Sequence, residues 1–403
     1  MQPSIEFIDI SQLNPTAKGF SGAVYDGQRY LYFIPMMSGH FYGQVARYDT
    51  QRELSLPSSW AFFDTAAVNS ASCGFVDGFF DGRYLYMVPY HNQQGHHGEL
   101  CRYDTTVPFE SRDGWHWIDL ESLHAGAKGY ISGAFAAGRL YLSPYQQSWS
   151  RHHGLFASYD TRADFSGAGW HFFDAEANGW PEARGYHSAV VVGEQIVFVP
   201  YVREGRDYHG LVMVYDPNRG EFESAASWRS VDISRFNRRG RGFVGGAFDG
   251  RYLYLSPYFD GEGRYGQIAR YDTHLPLESG SSWDFFDTAT LQPDSRGFFG
   301  ALYHEGDCYF IPHCLAEGRY HGQISRYHCS LAFDDPAAWH FCDTATLHSG
   351  SRGYIGGAIV GDALYMAPFE TAPGAHTGLV ARVGLHNSDD NGESVWQSAV
   401  SGY

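Results

Sequence analysis

Six basic residues recur at one register of this 403-residue chain: Lys18, Lys128, Arg184, Arg241, Arg296 and Arg352 each stand immediately before a glycine and an aromatic residue. Cys73 takes the seventh such position. Ammonium and guanidinium groups gathered in one place would hold a carboxylate or a phosphate, so these are the candidate substrate-binding residues. A scaffold role is the alternative. Asp9, Asp64, Asp119, Asp174, Asp232, Asp287 and Asp343 precede the same segments, and each cation can pair with one of them and lock one repeat to the next.

Histidine forms a second pattern. His97, His153, His209 and His321 each precede a glycine at a later, equivalent point of the repeat, where the other repeats carry Tyr42, Tyr265 and Thr377. His40, His91, His96, His152, His313 and His376 lie close by. Neutral imidazoles converging from several repeats would bind a divalent transition metal, which takes three or four such ligands. That makes His97, His153, His209 and His321 the candidate metal ligands. Alternatively, each ring caps a turn or bonds to a backbone carbonyl. The chain has no His-Glu-x-x-His spacing.

A single catalytic site must break the repeat, and two residues do so. His187 replaces the Val, Ile, Ser or Phe of its equivalents, and Asp77 stands where the other repeats have Gly or Ser. Facing one channel, they could act as acid and base. The bland reading makes His187 structural and has Asp77 bonding to a turn. Cys308, Cys314, Cys329 and Cys342 crowd the sixth repeat, but at positions spread across it, as buried free thiols would be. Trp149 and Trp180 sit in loops and could stack on a sugar.

The elements that position these residues repeat too. Glycine-aromatic pairs begin at Gly19, Gly74, Gly129, Gly185, Gly242, Gly297 and Gly353, spaced 55 to 57 residues apart. Each unit divides into four short strands. In the fifth they are Gly242–Phe248, Arg251–Ser256, Gln267–Tyr271 and Trp283–Asp287, with the hairpin signal Asp249-Gly250 between the first two. Seven such units predict an all-β, seven-bladed β-propeller of four-stranded antiparallel blades. The small residues of each first strand suit the crowded axis. Trp60, Trp115, Trp170, Trp228, Trp283 and Trp339 open the fourth strands and suit the wide rim. Glu6–Asp9 reads as a fourth strand with no first three before it, so the N-terminus should complete the last blade. Trp396 competes for that place, but the residues after it lack the Phe-Asp ending. The expected domain therefore spans 1–385, with 386–403 as an appended segment.

The fourth repeat resembles a kelch repeat: Arg184-Gly-Tyr-His-Ser-Ala-Val-Val-Val-Gly193, then Gln195 to Tyr201, then Val214-Tyr-Asp-Pro217. Pro-Tyr pairs such as Pro89-Tyr90 and Pro257-Tyr258 stand where kelch units have Gly-Gly. The resemblance implies a kelch-like propeller. Kelch domains that bind acidic peptides use arginines at similar positions. The fold hosts both enzymes and binding modules.

Composition narrows the classes. The net charge of −17 argues against nucleic acid and anionic membrane as partners. No stretch has the length of a membrane span, and residues 1–13 lack a signal-peptide core. The six cysteines do not recur between repeats, which predicts free thiols, a reducing compartment and a cytoplasmic location. A monomer is expected. These features together point to an enzyme acting on a small anionic substrate in a cationic, histidine-rich axial funnel, metal-dependent if the imidazoles converge. The alternative is a non-catalytic propeller binding an acidic peptide or partner protein. A multivalent lectin comes third.

Overall fold

A computed structural model describes residues 5–385 and 395–399. The chain forms seven blades of four antiparallel strands. In the fifth blade the strands are Phe243–Phe248, Tyr252–Pro257, Gln267–Asp272 and Trp283–Asp287, hydrogen-bonded in that order from axis to rim. The innermost strand of each blade touches those of both neighbours, and the seventh, Tyr354–Val360, touches the first, Phe20–Tyr25, so the ring is closed.

Closure is made as the repeat predicts. Ile5–Asp9 is the outer strand of the seventh blade, with Ile5 opposite Val383 and Asp9 opposite Leu379. The first and last parts of the propeller thus share one sheet, and Glu6 pairs with Arg382 across it at 2.8 Å. Trp396 does not compete for this place. Gln397–Ser398 adds a fifth strand to the sixth blade, against His340 and Phe341, and Trp396 packs on Tyr309. The remainder of the expected appended segment, 386–394 and 400–403, lies outside the described residues.

The glycine that opens each inner strand is required by geometry. Gly242 has φ +75°, and a Cβ there would lie 1.8 Å from the carbonyl oxygen of Phe259 in the loop after the second strand. The equivalent glycines have φ from +63° to +75° and face a carbonyl oxygen at 1.5 to 1.9 Å. Inner strand and loop are therefore clamped together at the same height in every blade. The rim is fixed by the tryptophans. All six are buried, and each lies against the tyrosine of its own third strand, as Trp115 does on Tyr103 at 4.7 Å. The Phe63 ring of the first blade lies against Trp115 of the second at 4.5 Å and 2°. Apolar area is buried between blades as well as within them.

Candidate functional site

The inner strands enclose an axial cavity of about 240 Å³ lined from all seven blades. One layer of its wall is Val76, Ile131, His187, Val244, Phe299 and Ile355, and the next is Gly22, Asp77, Ser132, Ser188, Gly245, Gly300 and Gly356. These are successive positions of the inner strand, and in every blade the pairing register shifts there, an irregularity that breaks the alternation of faces and lets both line the cavity. Asp77 and His187, the two departures from the repeat, thus line the same space. Among the described residues they are its only ionisable groups.

Their states differ in kind. Burial pushes the Asp77 carboxyl up to about 6, against the Ser132 hydroxyl and the Gly78 N–H, which donate to it at 2.5 and 2.8 Å. Burial pulls the His187 imidazole down to about 3. The ring is held edge-on by Phe299 at 4.9 Å and Tyr201 at 5.5 Å. No direct hydrogen bond joins the two side chains.

Above this wall lies a collar that sequence reasoning misses. The residue after each second-strand proline is Tyr90, Tyr145, Tyr201, Tyr258, His313 or Phe369 in blades two to seven. Each ring meets the next, with centroids 5.7 to 6.5 Å apart. Met36 of the first blade packs against the cluster of Val76, Tyr90 and Ile131. The signal is the recurring Pro-Tyr pair, which stands out in the sequence only as a departure from the kelch pattern.

None of the six basic residues lines the axial cavity. All are half-buried at the base of the loops on the collar side. Lys128 lies 2.9 Å from Glu121, Arg184 lies 3.1 Å from Glu204, and Arg241 lies 3.7 Å from Glu262. Among the described residues, Lys18, Arg296 and Arg352 make no ion pair. The Nε atoms of Arg184, Arg241, Arg296 and Arg352 are buried without an acceptor.

The expected pairing of these cations with the seven aspartates does not occur. Each aspartate instead accepts the backbone N–H two or three residues on, capping a one-turn helix or turn: Asp9 from Ser11, Asp64 from Ala66, Asp119 from Glu121, Asp174 from Ala177, Asp232 from Ser234, Asp287 from Ala289 and Asp343 from Ala345. The local donor costs less chain entropy than a cation on another segment. Asp287 alone among the seven also makes an ion pair, with Arg239 at 3.1 Å.

His97, His153, His209 and His321 sit in four separate blades, each edge-on or tilted to the aromatic residue of its own inner strand, as His209 is to Tyr186 at 5.5 Å. Nδ1 of His97, His209 and His321 accepts the N–H of Glu99, Leu211 and Gln323. Their own carbonyls accept the N–H of the next blade's opening glycine, His97 from Gly129 and His209 from Gly242. Burial pulls all four imidazoles down to about 3, partly offset by carbonyls at the start of the inner strand. The four are not brought together. Among the described residues the one group of three potential metal ligands is His304, Glu305 and Asp362, at hairpin turns on the opposite side.

All six cysteines are free, and of the four in the sixth blade Cys308, Cys314 and Cys342 are buried as the sequence implies, whereas Cys329 is only half-buried. Trp149 is 65% exposed, with its indole 4.9 Å from the rings of both His91 and His96. Trp180 is not a free loop aromatic: its Nε1 donates to Ser230 at 2.9 Å.

The fold and its loops thus define a seven-bladed β-propeller with an aromatic collar on one face and half-buried cations around it. No protein-family model and no curated protein matches the chain. Among solved structures it is similar to "YCF48 bound to D1 peptide", with TM-score 0.57 and 12% identity over 95% of this chain and 97% of that one. It is also similar to the Neurospora crassa Pan2 WD40 domain, with TM-score 0.54 and 10% identity over 95% and 97%. The WD40 β-propeller domain of Doa1 matches with TM-score 0.53 and 9% identity over 93% and 95%. These likenesses establish the propeller fold.

Proposed function

We propose that this chain is a non-catalytic propeller whose collar face binds an acidic segment of a partner protein. The observation that carries this reading is the separation of charge. The basic residues lie outside the axial cavity, and the one carboxyl-bearing residue in that cavity is Asp77. A small anion on the axis would meet a carboxylate and no cation. A peptide crossing that face would meet the half-buried cations at the base of the loops and the partly exposed rings of Tyr145 and Tyr201.

Three features support it further. Lys18, Arg296 and Arg352 have no acidic partner among the described residues, so an incoming carboxylate displaces nothing to reach them. The exposed indole of Trp149, next to Lys128 along one pocket, gives an apolar side chain a place to stack. The first structural neighbour is described as bound to a peptide. The kelch resemblance around Arg184 points to the same use of arginine.

The test is a fluorescence-anisotropy titration with glutamate-rich, neutral and lysine-rich peptides of equal length. The glutamate-rich peptide should bind best, weaken with added salt, and lose several-fold affinity with Arg241→Ala while the melting temperature stays put. Equal binding of the neutral peptide would discard the proposal. So would an Arg241→Ala variant that melts earlier yet binds unchanged, because that outcome makes the residue scaffold.

A further inference from the structure

The axial cavity presents polar groups that the fold does not use, and a ligand held there is independent of partner binding at the collar. Asp77 has no cation near it: its only partners among the described residues are the Ser132 hydroxyl and the Gly78 N–H. Ser188, 8% exposed, belongs to the same wall, and its buried hydroxyl has no hydrogen-bond partner among the described residues. His187, 5% exposed, makes no hydrogen bond among the described residues. The rest of the wall is glycine, alanine and apolar side chains.

Packing alone does not explain this arrangement. Desolvation disfavours the ionised form of a carboxyl that has no counter-charge, and the cavity wall gives Asp77 none. The six equivalent positions hold Gly22, Ser132, Ser188, Gly245, Gly300 and Gly356, so the fold is built just as well without the carboxyl. A ligand of opposite charge would offset the cost of keeping an unpaired carboxyl inside an apolar cavity.

We propose that the axial cavity is a binding site for a small primary alkylammonium ion, with Asp77 as its counter-ion. The ammonium donates to the Asp77 carboxylate in a charge-assisted hydrogen bond. The alkyl body lies against Val76, Ile131, Val244 and Ile355, with the Phe299 ring as a further part of the same wall. The neutral His187 imidazole remains as an acceptor for a further donor on the ligand. A cavity of about 240 Å³ has room for a small organic ion and excludes a folded peptide. The −17 net charge of the chain draws cations toward it and repels competing anions.

The experiment titrates the full chain with n-butylammonium chloride, n-butanol and sodium butyrate near neutral pH, by calorimetry or ligand-observed NMR. Butylammonium should saturate a single site, and butanol, which keeps the shape and loses the charge, should bind about tenfold more weakly or worse. Asp77→Ser installs the residue that the third and fourth blades already carry. It should cut butylammonium affinity by about tenfold or more without lowering the melting temperature. Asp77→Asn, which keeps the shape, should do the same and serves if the serine variant fails to fold. The proposal falls if butanol binds as well as butylammonium, if butyrate is preferred, if no ligand saturates, or if both Asp77 variants bind butylammonium like the parent. Peptide binding at the collar is read separately, so either result leaves the other reading in place.

Discussion

His97, His153, His209 and His321 show how a pattern that suits chemistry can serve structure instead. A blade needs something under its inner aromatic ring and an acceptor for the amide two residues on. Imidazole supplies both at His97, His209 and His321, and the packing alone at His153. Elsewhere the rings of Tyr42 and Tyr265 take the packing role, and the Thr377 hydroxyl takes the acceptor role, accepting from Leu379 at 3.1 Å. The same tolerance of Tyr and Thr is visible in the sequence, and it separates a packing position from a ligand position. These buried rings also make stability depend on pH. The folded imidazoles titrate near 3 and unfolded ones near 6.5, so the unfolded chain binds more protons between those values. Stability contributed by these groups is full above 6.5 and is lost as pH falls toward 3. At pH 5 the loss is on the order of 1–2 kcal/mol per imidazole. His209→Tyr, which copies the first and fifth blades, should leave the neutral-pH melting temperature nearly unchanged and reduce its fall between pH 7.5 and 5. An unchanged acid slope in thermal melts would show that His209 is not one of the titrating groups. Asp77 and His187 are legible in the sequence for the opposite reason, because each interrupts a sevenfold rule. The fate of the seven aspartates is not, since sequence order does not reveal that a backbone N–H two residues away reaches the carboxylate before a cation does.

Strands and loops are legible almost to the residue, because the same hydrophobic alternation and the same turn signals recur seven times. The second strand of the fifth blade runs Tyr252–Pro257, where the sequence suggests 251–256, and the fourth matches at Trp283–Asp287. The offset has a cause: the Asp249 side chain holds the N–H groups of Arg251 and Tyr252, so the turn keeps Arg251 out of the strand. The collar escapes a sequence reading because nothing local distinguishes a tyrosine at a strand end from one that meets rings of the neighbouring blades. That contact exists only once the blades are arranged around an axis. Closure belongs to this scale as well. Ile5–Asp9 supplies the outer edge of the seventh blade, and Ile8 and Ile10 pack into the core shared with the first. Removing residues 1–9 should expose the Leu379–Gly384 strand as an edge and drop the melting temperature by about 10 °C or more, with loss of a single cooperative transition. A truncated chain that melts in one transition near the parent temperature would contradict closure by this strand.

At the scale of the molecule, 45 acidic and 28 basic residues leave a net charge of −17, yet the six basic residues at the opening glycines all stand on the collar side. Long-range repulsion and short-range attraction then oppose each other for an acidic partner. The chain would select a segment whose carboxylates are spaced to reach the loops over a merely acidic surface. The seven-bladed ring is fully readable from the repeat, whereas the use of its face is not, because only the assembled ring shows the cations outside the cavity and the carboxyl within it. The most direct test is hydrogen exchange on the full chain with and without a glutamate-rich peptide bound. The account predicts slowed exchange confined to the collar-side loops, among them 90–97, 145–153, 201–209 and 258–265, with the opposite hairpin turns unaffected. Protection at those opposite turns, or none at the collar, would contradict it.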